Sequence, residues 1–384
     1  MEAKFNHYDL KLIVPDFSSP VTDLIIDLDY LRKKKIGGTT HPATFFQLKS
    51  IFHTLESIGS ARIEGNRTTI AAYIETKIFP EETKDEGLVE IRNMETALQF
   101  IDKNVENSPI NRAFLCELHK IVVTDLDPNK EGDFTPDMFR VKNVSIRGSL
   151  HRPPDYTQVS GYMDELFEFI NRQAPSKLDL LKTAIAHHRF AWVHPFTNGN
   201  GRTVRLLTYA MLVKQGFNVD AGGRILNPTA VFCANRKKYY NFLSLADSGE
   251  NDKILSWCEY VLSGLKNEIE KIDRLLDYNF LSSNILIPAI NFSLERKHIT
   301  GDEHKILKIA IEKQILQASH IKNIFPDKIP AEISRMLRGL KDKKMIISEK
   351  PNTRKYVLCF NNNYLLRGII TMLAKNDFLL NEDK

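Results

Sequence analysis

Cysteine is scarce in this 384-residue chain: Cys116, Cys233, Cys258 and Cys359 lie far apart and form no CxxC pair. That spacing indicates neither a disulfide framework nor a zinc site, so a reducing cytoplasm is the expected setting. Long apolar runs are missing too, and no stretch approaches the roughly 18 uninterrupted apolar residues that a membrane span needs. The start, MEAKFNHYDLKL, lacks the charged, apolar and small-residue segments of a secretory signal. Internal repeats and low-complexity tracts are absent. Charge of one sign is also in short supply, since the formal net charge is only +5. It is unevenly spread: Ser334 to Lys355 holds eight basic residues (Arg335, Arg338, Lys341, Lys343, Lys344, Lys350, Arg354, Lys355) against Asp342 and Glu349, a local balance of +6. A basic partner surface is therefore expected only near the C-terminus.

With 42% apolar and 26% charged residues, the chain is long enough for two or three domains. Helical periodicity dominates, and the expected fold class is mainly α. Phe45, Leu48, Phe52, Leu55 and Ile58 share one helical face, with an end expected near Gly59. A second helix is expected from Ser176, as N-cap, to Trp192, and a third from Arg202 to Gln215, stopped by Gly216. PEETKDEG (80 to 87) reads as a loop, and RVKNVSIRGSLHRPP (140 to 154) as a short hairpin broken by two prolines. From about Asp302 three helices precede two strand-like pieces, MIISEK and KYVLCF, which describes a winged helix-turn-helix. The expected domains are an N-terminal helical region at 1–110, a core at 111–265, a helical connection at 266–301 and a winged-helix domain at 302–384.

HPFTNGNGR, residues 194 to 202, carries the chemistry. Taken singly, Asn and Gly before a helix are turn residues and a lone histidine is commonly packed. In combination, Gly199, Asn200 and Gly201 lead into a helix N-terminus, where unpaired N–H groups and the dipole favour an anion. Arg202 and Arg205 oppose that dipole, a cost that a bound polyphosphate would reverse. Three apart, they sit on one helical face and can grip successive phosphates. His194 can accept a proton near neutral pH, and Asn198 offers a neutral oxygen to a metal. Phe196 reads as a buried anchor. Neither GxxxxGK[ST] nor GxGxxG is present here.

HPFTNGNGRTVR resembles the signature of the Fic family, HPFx(D/N)GNGRxxR, and Ala184, His187, Phe190 and Val193 carry its preceding AxxHxxFxxVH pattern. Residues 140 to 154 resemble that family's target-docking flap, and NRKKYYNFLSLADSGE (235 to 250) its base-covering segment; the resemblance spans roughly residues 40 to 265. It implies a Fic-type helical core with a short β-hairpin flap, and transfer of AMP from Mg-ATP to a Ser, Thr or Tyr hydroxyl of a protein. His194 would be the base, Gly199 to Gly201 the anion hole with Thr203 beside it, Arg202 the α- and β-phosphate clamp and Arg205 the γ-phosphate clamp. Asn198 stands where many members have a metal-binding Asp, so weaker Mg²⁺ binding is expected. Asn235, Tyr239 and Tyr240, with Asp247, would line the adenine pocket, and Gly148, Leu150 and His151 would belong to the flap.

SARIEGN, Ser60 to Asn66, resembles the family's inhibitory [S/T]xxxE[G/N] pattern through Ser60, Glu64 and Gly65. Its physical sense is that a carboxylate on an N-terminal helix pairs with Arg205 and occupies the guanidinium that would orient the γ-phosphate. The winged helix leaves open contact with duplex DNA or with protein. A DNA-binding regulator that senses nucleotide, another nucleotide donor such as UTP, removal of AMP, and a homodimer stay open as alternatives.

Overall fold

The computed structural model describes residues 4–33, 38–78, 85–146, 148–217 and 228–379. Its contacts divide into two units: Met1–Lys35, His53–Thr68 and Thr83–Ile269 form the first, and Ile36–Phe52, Thr69–Glu82 and Glu270–Lys384 the second. The N-terminal region expected as one block is thus divided between them.

The helices run α1 (Pro20–Lys33), α2 (Pro42–Glu64), α3 (Ile70–Ile78), α4 (Glu86–Asn104), α5 (Arg112–Val123), α6 (Val159–Asn171), α7 (Asp179–Val193), α8 (Asn200–Lys214), α9 (Pro228–Cys233), α10 (Arg236–Ala246) and α11 (Asn251–Asp273). In the first unit α7 and α8 pack on each other, with α6 against α7 and with α4 and α5 against α8. Nearly every residue of α7 and α8 is buried. That explains their lack of a clean amphipathic stripe: a helix covered all round has no solvent face to mark. The charge inside this core is compensated locally. Arg189 pairs with Glu165, donates to the Tyr8 carbonyl at 3.1 Å, and lies 4.4 Å from the Trp192 ring centre.

Several elements differ from the sequence expectation. The helix read as ending near Gly59 continues to Glu64, and Gly59 brings it close to Thr229, whose Cγ2 lies 3.4 Å from where a Cβ would stand. Its true stop is Gly65, at φ +108°, where Gly65 N–H donates to Arg62 O and Asn66 N–H to Ala61 O, a Schellman end. Ser176 does not cap α7; it opens a 3₁₀ turn, Ser176–Leu178, and α7 begins at Asp179. Of the expected loop at 80–87, residues 80–84 lie outside the described residues, Asp85 caps α4 through Leu88 N–H, and Glu86 and Gly87 are helical.

The hairpin expected over 140–154 forms no ladder among the described residues, Arg147 lying outside them. Arg140 takes the place of a cross-strand ladder: its guanidinium donates to Lys142 O at 3.0 Å and Pro154 O at 2.6 Å. The segment pairs with the chain's start instead, Lys4 N–H donating to Leu150 O and Arg152 N–H to Lys4 O.

In the second unit, α12 (Tyr278–Phe280) leads through a π-helical stretch, Leu281–Leu286, into α13 (Ile287–Glu295). From Glu270 on, the segment expected as a connection belongs to this unit, where Ala289, Ile290 and Ser293 are buried and α13 rests on α17 (Leu366–Lys375). Between them come α14 (Gly301–Lys313), α15 (Ala318–Ile324), α16 (Pro330–Asp342), β1 (Ile346–Ser348) and β2 (Tyr356–Leu358), the strands antiparallel with Ile346 opposite Leu358. Thr300 and Glu303 close a capping box on α14. Ile333, Leu337 and Leu340 bury one face of α16, and Met336 lies at its edge. Among the described residues no helix is long and apolar enough to cross a membrane.

One buried carboxyl ties α2 to α9. Both oxygens of Glu56 accept from Thr229 N–H at 3.0 Å, and Thr229 Oγ1 donates as well. Burial, opposed by the Thr229 bonds and Arg205 and reinforced by Glu268, pushes its pKa up from 4.5 to about 8. The folded chain then holds a proton that the unfolded chain releases, so this contribution is full below about pH 4.5 and is lost as pH rises through about 8. Glu56→Gln removes the titration. The melting temperature of the variant, relative to wild type, is expected to rise by several degrees between pH 5 and pH 8.5 in scanning calorimetry; parallel curves would contradict this.

Candidate active site

The loop from α7 to α8 is held by side chains that recognise its backbone. His194 closes α7 in the left-handed region (φ 52°, ψ 60°), its N–H bonded to Phe190 O at 2.9 Å. A non-glycine residue is costly there unless the surroundings enforce it. Arg140 does so, with Nε donating to His194 O at 2.9 Å and its own N–H donating to Pro195 O at 2.8 Å. Phe196 is buried and its ring stacks on His119, centroids 3.7 Å apart, as the anchor reading expected.

Asn200 acts as a brace: its Oδ1 accepts from Phe196 N–H and its Nδ2 donates to Phe196 O, both at 2.9 Å. Thr203 Oγ1 donates to Gly199 O at 2.9 Å. Gly199 needs to be glycine on two counts, a φ of +71° and the Val123 methyl 3.1 Å from any added Cβ. At Gly201 an added Cβ would meet the Glu64 carboxylate. The Glu64 carboxylate therefore lies over the first turn of α8, against the backbone where an anion would approach.

Both arginines of the motif are fully buried and both are occupied. Arg205 Nε donates to Ser60 Oγ at 2.8 Å, and its Nη2 donates to Ser60 O at 3.0 Å and Glu64 Oε1 at 2.7 Å. Ser60, Glu64 and Gly65 thus meet at one point: two residues hold the guanidinium and the third ends the helix that presents them. Burial works against ionisation of Glu64, yet Arg205 outweighs it and holds the carboxyl below its usual range. Arg202 has different partners, Glu131 O at 2.7 Å, Glu131 Oε2 at 3.1 Å and Glu90 Oε1 at 3.1 Å.

The other expected site residues fall in three places. Asn198 turns its Oδ1 to Gly199 N–H at 2.8 Å and its Nδ2 to Lys130 O, so its amide supports the loop. No group of three or more His, Cys, Asp or Glu suited to a metal occurs among the described residues. The Asn198 oxygen accepts one bond from the cradle, which leaves its second lone pair for any further ligand. Tyr239 is core, its hydroxyl 2.9 Å from His187 Nε2 and its ring against Phe232, whereas Tyr240 is exposed beside it. Asn235 spends its side chain capping α10 through Lys238 N–H, and Asp247 meets His188 Nε2 at 3.1 Å. On the expected flap, Gly148 is left-handed (φ 77°), Leu150 is exposed, and His151 is buried with Nε2 2.8 Å from Trp192 O. Sequence reasoning missed Arg140, Glu90, Glu131 and His119; each acts on residues dozens of positions away, and no local pattern marks it.

Residues 109–212 match the Fic/DOC family model. The curated protein adenylyltransferase Fic of Drosophila willistoni is 30% identical over 203 residues, covering 52% of this chain and 37% of that protein. The same name and figures hold for the Drosophila melanogaster relative. The chain thus spans little more than a third of the length of these relatives. In fold it is similar to a Fic family protein from Desulfovibrio desulfuricans G20, with a TM-score of 0.53 and 18% identity over 92% of this chain and 98% of that one. Fic-1 of C. elegans gives a TM-score of 0.51 and 21% identity, over 66% and 71%. Residues 109–212 are therefore a Fic/DOC family domain. The loop from His194 to Arg205 lies inside it, and Ser60 to Gly65 reach it from outside the matched span.

Burial pushes the His194 imidazole down to about 4, with Arg140 adding to that and the Ala191 carbonyl opposing it. A group depressed in this way stays neutral, with a lone pair to offer, at every pH above about 4. Histidine side-chain NMR across pH 3.5 to 8 is expected to give a His194 midpoint near 4; a midpoint at or above 6 would contradict the burial described here.

Proposed function

We propose that the chain is a self-inhibited protein adenylyltransferase that transfers AMP from ATP to a hydroxyl of a protein. One observation carries the reading: Glu64 sits bonded to Arg205 and against Gly201, at the N-terminus that would receive the triphosphate. The relatives named above carry this activity in their names. ATP would enter as its Mg²⁺ complex, and the neutral Asn198 oxygen is the group that would help hold the metal, which would neutralise phosphate charge. The amides of Gly199 to Gly201 and the dipole of α8 receive phosphate oxygens, and Arg202 and Arg205 neutralise them as their carboxylate partners withdraw.

The acceptor hydroxyl oxygen attacks the α-phosphorus, a new P–O bond forms, and the bond to pyrophosphate breaks. His194, neutral through burial, takes the hydroxyl proton. The chain's contribution is mainly positioning and charge neutralisation. With Glu64 in place Arg205 is unavailable, so ATP binds without the alignment that transfer requires. His194→Ala is expected to abolish ATP-dependent labelling, and Glu64→Gly to raise self- or target labelling at least tenfold, the scale of losing one charged clamp. Autoradiography with α-labelled ATP reads both. Equal labelling of Glu64→Gly and wild type would sink the self-inhibition.

A second reading, DNA binding by residues 301–360, is favoured by where the charge falls. Arg335, Arg338 and Lys341 are exposed on the side of α16 away from Ile333, Leu337 and Leu340, and Lys350, Arg354 and Lys355 are exposed at the β1–β2 turn. Lys343 is engaged with Glu303 at 2.6 Å. Arg335→Ala with Arg338→Ala is expected to weaken duplex binding about tenfold at 50 mM salt and to flatten the salt dependence. No shifted band for wild type at that salt removes this reading.

A further inference from the structure

Glu64 accounts for one of the two buried arginines at the start of α8. Arg202 is compensated by a separate set of groups. Glu90, on α4 and 3% exposed, places Oε1 3.1 Å from Arg202 Nη1, and Glu131 contributes its carboxylate and its carbonyl to Nη2. The contact with Glu90 is close in distance but lacks hydrogen-bond geometry: Arg202 Nε and Nη1 and Glu90 Oε1 are all buried without a hydrogen-bond partner. A buried guanidinium with two unsatisfied donors is an incomplete anion site, and phosphate oxygens fit such donors better than a misaligned carboxylate does.

We propose that Glu90, assisted by Glu131, is a second inhibitory carboxylate, which neutralises Arg202 and lowers the affinity of the α8 N-terminus for polyphosphate. The inference rests on the phosphate-binding role given to Arg202 above. Charge supports it: Glu64, Glu90 and Glu131 face Arg202 and Arg205, with Arg236 also acting on Glu64, so these cations are already compensated before any phosphate arrives. A polyphosphate must displace or outcompete the anions already in place.

The two clamps are joined through Asn66. Its Nδ2 donates to Glu90 Oε2 at 2.7 Å and to Gly87 O at 2.9 Å, while its backbone N–H closes the Schellman end of α2 just beyond Glu64. Movement of the α2 end that withdraws Glu64 from Arg205 therefore also strips Glu90 of a hydrogen-bond donor. Burial raises the Glu90 carboxyl above its ordinary range despite Arg202, so this clamp loses its charge more readily than Glu64, which is held below that range.

Inorganic pyrophosphate, titrated calorimetrically into the full chain, probes the site without requiring transfer. Glu90→Gln keeps the side-chain shape and removes the charge, and is expected to bind pyrophosphate about tenfold more tightly than wild type, as for one charge-assisted contact released. Arg202→Ala added to Glu90→Gln should erase the gain. Glu131→Gln, at a side chain nearly half exposed, should move affinity the same way by about threefold, and it carries the test if Glu90→Gln melts early. Unchanged or weaker pyrophosphate binding in whichever variants melt like wild type overturns the inference. Tighter binding together with no ATP-dependent labelling by Glu64→Gly would support this clamp and overturn the transferase reading instead.

Discussion

Positive charge buried at the start of a helix is the constraint on which the site depends. Arg202 and Arg205 occupy the first turns of α8, where the helix dipole already presents positive charge, and both are removed from water. Burying an uncompensated guanidinium costs several kcal/mol. The chain meets that demand with its own anions, and a phosphate would meet it with another. Under the proposed function, folding and ligand binding would compete for the same two side chains, which Ser60, Glu64, Glu90 and Glu131 now surround.

Around these charges the loop is held by bonds to its backbone that involve neither Arg202 nor Arg205. Asn200 pins Phe196 by both backbone groups, Thr203 holds Gly199, and Arg140 holds the carbonyls of His194 and Pro195. The His194 imidazole sits in a left-handed turn, and desolvation favours its neutral form. The separation of roles is physical: side-chain bonds to the backbone set the geometry of the loop, and carboxylates occupy the guanidiniums of Arg202 and Arg205.

Much of the candidate site was legible before any coordinates, for a definite reason. HPFTNGNGRTVR and SARIEGN carry side chains whose work is done within a few residues, in a helix N-terminus, a glycine turn and a helix end. Three-residue spacing on a helix places Arg202 and Arg205 together wherever that helix lies. Features fixed by distant contacts were less legible. The family resemblance of residues 235 to 250 placed Tyr239 in the adenine pocket, and in the fold its hydroxyl meets His187 and its ring Phe232. The segment 140–154 alternates as a hairpin does, yet its partners are the Arg140 guanidinium and Lys4. Asn198, expected to offer its oxygen to a metal, accepts a bond from the Gly199 N–H with it.

The sequence by itself determined the helical character of the chain, the glycine turn at Gly199 to Gly201 before a helix N-terminus, the two cations beside it and the carboxylate at Glu64, because each follows from local backbone geometry and side-chain charge. Tertiary structure decided that Glu90 and Glu131 meet Arg202 and that desolvation favours the neutral form of His194. Those outcomes depend on burial and on contacts between residues dozens of positions or more apart, and neither desolvation nor long-range proximity is written in spacing along the chain.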